Sequence, residues 1–339
     1  MGPEHLILFV ILAALTLYAI FGGADFGGGI WEFNTAFHSS DKERHLIQAA
    51  IGPVWEANHV WLLFVLMLMT NAFPSAWAAI SQALFVPLLL ALVGIVFRGA
   101  AFAFRAYAVG AVSQQRLWGT VFALASTMAP FFLGASVGAI ASGRLELTAD
   151  GRFTGDFLVG WISPLSIFTA FFAVGMSAYL AAFFLTREAM QIDDDELRDV
   201  WRQRSLATGM WMGILALVGL VFVGLEAPSL REGFFTRGWP MVGISALAGV
   251  VSLIAMWRGK VDIAVIGAAT TVGAVTCGWG LSQFPFIVPP SITEDLAKAP
   301  ANVLWWMVGS TAVGISIVAP SIAYLLLLFK RSSREPGSK

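Results

Sequence analysis

Apolar positions along this chain gather into nine long runs, at residues 6–31, 47–70, 75–97, 117–141, 158–185, 205–225, 239–257, 262–283 and 303–329. Each is close to the roughly 20 residues that a helix needs to cross the hydrocarbon core of a bilayer. The polar breaks between them are short, so no separate soluble domain is expected. The pattern predicts an all-α integral membrane protein, a single polytopic domain over 1–339. Its nine transmembrane helices are expected as two four-helix bundles plus one peripheral helix. The longest polar break, 186–204, carries Asp193, Asp194, Asp195 and Glu196, then Arg198, Arg202 and Arg204. It is expected as a solvated helical hairpin on one membrane face.

Composition narrows this further. The chain is 58% hydrophobic and 12% charged, against about 25% charged in soluble domains, with a mean hydropathy of +0.78. A net charge of −1 and the lack of a basic block argue against a nucleic-acid partner. The single cysteine, Cys277, excludes a disulfide framework, a thiolate-held iron–sulfur cluster and a cysteine-based zinc site. The N-terminus has neither a basic leading segment nor a small-residue cleavage site, so Leu6 onward is expected as a retained helix.

Nine spans place the termini on opposite faces. Arg144, Arg152, Arg231, Arg237 and Lys298 fall on one face, and the remaining 15 of the 20 Lys and Arg fall on the other. Cationic loops stay in the cytoplasm. The N-terminus is therefore expected to be periplasmic and the C-terminus cytoplasmic, in the bacterial inner membrane. Glycines spaced four apart, Gly23/Gly27, Gly134/Gly138 and Gly209/Gly213, suggest close helix contacts. Trp31, Trp161, Trp201, Trp257, Trp305 and Trp306 lie near span ends and are expected as interfacial anchors.

Candidate chemistry starts at Gly22-Gly23-Ala24-Asp25-Phe26-Gly27-Gly28-Gly29-Ile30-Trp31, which sets a carboxylate among glycines in the first span. A carboxylate in a bilayer is costly, is normally retained for function and is given a partner. At 1.5 Å per residue Asp25 lies about 9 Å inside the cytoplasmic end. Glu32, two turns on, lies on the same face. Glu56, in Trp55-Glu56-Ala57-Asn58-His59-Val60-Trp61, is expected about 14 Å in from the same side. Arg98 ends the third span there and is the expected charge partner of Asp25 or Glu56. Two readings stand: an ion pair that fixes helix register, or a proton path through Asp25, Glu56, Glu32, His59 and Asn58. Intramembrane histidine is scarce, so His59 is expected in hydrogen bonding or proton relay rather than haem ligation. No catalytic, cofactor-binding or metal residue is expected in the chain. Phe284-Pro285-Phe286-Ile287-Val288-Pro289-Pro290-Ser291 reads as an ordered loop against a partner or as a rigid turn.

The GADFGGGIW stretch, GPVWEANHVWL at 52–62, Arg98 followed by Arg105, and FPFIVPPS at 284–291 together resemble subunit II of the cytochrome bd-type quinol oxidases. The match runs over essentially the whole chain. The resemblance implies a complex that oxidises quinol and reduces oxygen to water with cytoplasmic protons. It places two b-type haems and one d-type haem in subunit I, an obligate partner, and none in this chain. Asp25, Asn58 and Trp61 match their counterparts. Glu56 stands where Asp is usual, His59 where Gln or another polar residue is expected, and Ala103 where an acid is expected. These departures suggest the cyanide-insensitive branch. Trp55 and Trp61 are candidates for an oxygen path or a subunit interface, with bundle packing as the alternative for Trp61. A small single-helix subunit and a structural quinone stay open. The rival function is a proton-coupled secondary transporter with a midplane site at Asp25, Glu56 and Arg98; such transporters show matched broken helices in two halves, and the first span has no clear mate in the fifth.

Overall fold

The computed structural model describes residues 2–38, 41–51, 55–107, 112–148, 151–192 and 194–332. The first span is α1 (Pro3–Leu17), a π turn (Tyr18–Gly22) and α2 (Gly23–His38), continuous and apolar from Pro3 to Phe33. There follow α3 (Asp41–Ile51), α4 (Trp55–Ala72), α5 (Pro74–Ala83), α6 (Phe85–Tyr107), α7 (Val112–Ser142), α8 (Pro164–Ala189) and α9 (Asp195–Glu226). Next come α10 (Pro228–Gly233), a second π turn (Phe234–Gly238), α11 (Trp239–Trp257) and α12 (Val261–Gln283). A small antiparallel hairpin, β1 (Phe286–Val288) and β2 (Ile292–Thr293), precedes α13 (Glu294–Ala297) and α14 (Ala301–Ser332).

Among the described residues, seven helices are long and apolar enough to cross a membrane, or eight if a bent pair counts as one span. Ala301–Ile317 of α14 adds a shorter apolar helix. Described residues of each of the nine predicted runs lie in helix, but the starts of the third and fifth runs fall elsewhere. Residues 47–51 of the predicted second span close α3 and 55–70 belong to α4; residues 52–54 lie outside the described residues. The predicted third span, 75–97, starts too early. Its first part is α5, bent by 119° from α4, and the crossing helix begins only at Phe85. Hydropathy is continuous through Leu84, so the pattern does not mark where α5 gives way to α6, whereas the corner itself falls at the predicted 71–74 break. The physical signals are Pro74 in the first turn of α5, a residue suited to starting a helix, and buried Phe73 just before it. The fifth span likewise starts at a cap, not at the first apolar residue. The Ser163 hydroxyl accepts from the Ser166 amide at 3.0 Å, and the Ser163 amide donates to the Ser166 hydroxyl at 2.7 Å. Residues 158–162 therefore lie outside the helix.

Helix contacts depend on small residues. α2 packs against α7 and α8, and a Cβ on Gly27 would run into the Ser177 carbonyl and the Ala181 methyl. A Cβ on Gly134 would likewise meet Ala173 and the Thr169 carbonyl of α8. These are the close approaches that small-residue spacing permits. Gly213 differs, since nothing lies within 4 Å of where its Cβ would be. One core joins α1, α4, α5 and α7 through Ile7, Leu68, Ile80 and Ala135. The 284–293 loop belongs to this core, because Val288 and Ile292 are buried in it. A second core joins α8, α9, α11 and α12 through Leu180, Phe183, Met212, Met256 and Ala264. Leu217, Val221 and Leu225 on α9, and Phe85, Leu89, Leu92 and Val96 on α6, point outward. These apolar faces suit lipid or another membrane subunit.

The polar 186–204 break is the end of α8 and the start of α9, as the sequence predicts; Asp193 lies outside the described residues. Asp194 caps α9 by accepting from the Leu197 amide at 3.0 Å. Lys42 donates to its other oxygen at 2.8 Å, which ties α3 to this corner and holds the Asp194 carboxyl below its ordinary range.

Because the Gly27 approach is backbone to backbone, Gly27→Leu should separate α2 from α8 and destabilise the protein by about 1–3 kcal/mol or more. Melting of the purified membrane complex checks this. Gly213→Leu should melt like the parent, and equal melting of both variants contradicts the packing described.

Candidate functional site

The site is built on a spacing shared by two helices. Asp25 and Glu32 are seven residues apart on α2, and Arg98 and Arg105 are seven apart on α6. Arg98 Nη2 pairs with Asp25 Oδ1 at 2.5 Å, and Arg105 Nη1 pairs with Glu32 Oε1. Seven residues are two helical turns, so each helix presents its two charges on one face. The rungs join in the same order, which means that α2 and α6 run parallel. They are held across α7, which packs against both. Phe122 and Ser126 of α7 reach the upper rung, and Gly119, a turn earlier, leaves room for the lower one. A Cβ on Gly119 would lie 3.5 Å from Glu32 Oε1.

Arg98 is 1% exposed and Asp25 4%. Arg98 Nε donates to the Ser126 hydroxyl at 3.0 Å, and Nη2 donates also to the Asp25 backbone carbonyl at 3.3 Å. Its guanidinium lies 5.3 Å from the Phe26 ring centre and 5.0 Å from that of Phe122. Arginine suits this position because its planar group takes hydrogen bonds at the edge and aromatic rings on its faces. A buried pair of this kind contributes little net stability, but removing one partner leaves an uncompensated charge.

The other predicted residues divide. The Asn58 amide donates to the Phe21 carbonyl at 3.3 Å, a carbonyl in the π turn, where the regular helical ladder is interrupted. The His59 ring sits 6.2 Å from that of Tyr18 and 5.9 Å from that of Phe26. Asp25, Asn58, His59 and Arg98 are thus gathered around Phe26, and Glu32 lies on the next rung. Trp61 packs into the same apolar cluster as Tyr18, Phe26 and Ala129. The side chains of Trp55 and Glu56 lie outside the described residues. Ala103 is on an exposed face of α6.

Sequence reasoning did not assign Arg105 as the partner of Glu32, nor Ser126, Phe122 and Tyr18 to the site. The equal spacing of Asp25/Glu32 and Arg98/Arg105 was the available signal. Trp31 and Trp201 are also corrected. Trp201 is fully buried, and Arg204 lies against both rings at 5.2 and 4.6 Å while pairing with Glu43 at 2.7 Å. Trp31 Nε1 donates to the Ala178 carbonyl at 2.8 Å. These two tryptophans fix a half-buried cation rather than anchoring in the interface. Trp161 is buried too, whereas Trp257, Trp305 and Trp306 are exposed as anchors would be.

The class these features define is a multi-pass helical membrane protein whose interior is cross-linked by arginine–carboxylate rungs. A family description, cytochrome bd terminal oxidase subunit II, matches residues 3–329, and the chain belongs to that family. It is 26% identical over 337 residues to the cytochrome bd ubiquinol oxidase subunit 2 of Bacillus subtilis (strain 168), covering 97% of this chain and 92% of that one. It is 21% identical over 342 residues to the cytochrome bd-I ubiquinol oxidase subunit 2 of Escherichia coli (strain K12), covering 92% and 88%. The fold matches a chain of the bd oxidase from Geobacillus thermodenitrificans with a TM-score of 0.76 at 21% identity, covering 97% of this chain and 99% of that chain. Membership implies a hetero-oligomer with subunit I.

If the upper rung is a closed charge pair, Arg98→Met should destabilise the complex by about 3–5 kcal/mol by stranding Asp25. Arg98→Met with Asp25→Leu should recover most of that loss, as read by melting and by the yield of assembled complex. A single variant as stable as the parent, or a double variant no better than the single, contradicts the pairing.

Proposed function

We propose that this chain supports the haem-bearing subunit I of a quinol-oxidising, oxygen-reducing enzyme and supplies part of its proton path from the cytoplasm. The path runs from Glu32 through Asp25 toward His59 and Asn58, with Glu56 joining from α4. Its redox centres, two b-type haems and one d-type haem, belong to subunit I. The N-terminus lies in the periplasm and the C-terminus in the cytoplasm of a bacterial inner membrane, so Glu32 is the carboxylate nearer the cytoplasm. The oxidase family of the chain disfavours the transporter alternative.

One observation carries this reading. Arg98 holds Asp25 through Oδ1, while Asp25 Oδ2 has no hydrogen-bond partner among the described residues. A carboxyl fixed by one oxygen keeps the other for a proton, and carboxylate and imidazole groups inside helix bundles commonly serve as relays. A second reading has its own support: the pair is tight and buried, as a lock on helix register would be. Trp61 fits simple packing better than an oxygen path, because it lies among apolar neighbours in the Tyr18–Phe26 cluster.

Purification through a tag on this chain should bring down a haem protein with a visible spectrum and oxygen-dependent quinol oxidation. In that complex Asp25→Asn and Glu56→Gln should each slow oxygen consumption several-fold at unchanged haem content. Unchanged turnover, or loss of haem, assigns these carboxylates to structure instead.

A further inference from the structure

Four buried polar atoms near α2 have no hydrogen-bond partner among the described residues: Tyr18 Oη, Asp25 Oδ2, His59 Nδ1 and Arg98 Nη1. They belong to one cluster. The Tyr18 ring lies 6.3 Å from Phe26 and 6.2 Å from His59. His59 lies 5.9 Å from Phe26, and Arg98 spans from Phe26 to Asp25. Leaving several such atoms bare would remove much of the net stability of a domain, so buried polar groups almost always find partners. All four atoms are already enclosed by this chain, so a side chain docking from another subunit does not reach them. What fills the need must fit inside.

Their chemistry says what that is. Tyr18 Oη and Arg98 Nη1 offer two donors. Asp25 Oδ2, and His59 Nδ1 when the ring carries its proton on Nε2, offer two acceptors. Two donors and two acceptors are the complement of one water molecule, which gives two hydrogens and takes two. Buried waters characteristically make two to four hydrogen bonds to groups otherwise unsatisfied. The π turn prepares the place. A Cβ on Gly22 would lie 3.0 Å from the Tyr18 ring, so the glycine gives the ring room to lie close against its own helix. Asn58 meanwhile occupies the Phe21 carbonyl, so that this backbone group does not compete for the water.

We propose that Tyr18, Asp25, His59 and Arg98 enclose a buried water, with Tyr18 as its positioning residue. The site stands whether or not Asp25 carries protons, and it is tested without turnover. Infrared difference spectra of the intact oxidase complex, recorded in ordinary and ¹⁸O-labelled water, should contain an isotope-sensitive O–H band. That band should shift or vanish in Tyr18→Phe and persist in Tyr324→Phe, whose ring is exposed. A high-resolution map of the unaltered complex should show a solvent peak within hydrogen-bond distance of the four atoms. An unchanged band in Tyr18→Phe overturns the proposal, as does a map in which the Glu56 carboxylate fills the position or no peak appears. A water present while Asp25→Asn leaves turnover intact would sink the proton path alone, and slowed turnover without the water would sink this site alone.

Discussion

A guanidinium buried inside a membrane protein must be given every contact it needs from the protein, and Arg98 fixes much of this chain's architecture for that reason. It takes a carboxylate from α2, a hydroxyl from α7 and aromatic faces from both. Those groups meet only when three helices hold one register. The glycines along α2 and α7 make the meeting feasible by letting backbones approach where side chains would keep them apart. The second rung, Glu32 with Arg105, repeats the arrangement two turns away. Sliding α2 by one residue against α6 would break both rungs together.

The same arrangement bears on function. A carboxylate tied through both oxygens is a structural post, whereas one tied through a single oxygen can still exchange a proton. Asp25 is of the second kind among the described residues. Around it Tyr18 and His59 bring two further unsatisfied polar atoms into an otherwise apolar setting. Such a group is expensive in a bilayer unless something uses or satisfies it. Register and relay are therefore not exclusive: the arginine that orders the helices also presents the acid.

Much of this was legible in the sequence for a simple reason. Hydropathy reports exposure to lipid, so the apolar runs stood out, and a lone acid among glycines stood out against them. Depth and sign offer Arg98 as the partner of Asp25 or Glu56, and the structure pairs it with Asp25. The junction of α5 and α6 at Leu84 is hidden because the residues on both sides of it are apolar. Position near a span end makes Trp201 resemble an interface anchor, while its burial against Arg204 depends on how α9 meets α2. The sequence signal for the second rung is that the spacing of Arg105 from Arg98 mirrors that of Glu32 from Asp25.

Proton uptake by vesicles carrying the oxidase in one orientation tests the central claim most directly. With a pH dye on each side, the protons consumed during oxygen reduction should come from the side that holds the C-terminus. Replacing Glu32 with Gln should slow that uptake while the haem spectrum stays intact. Uptake from the opposite side, or an unaltered rate in the Glu32 variant, would contradict the account and leave the two rungs as a register device alone.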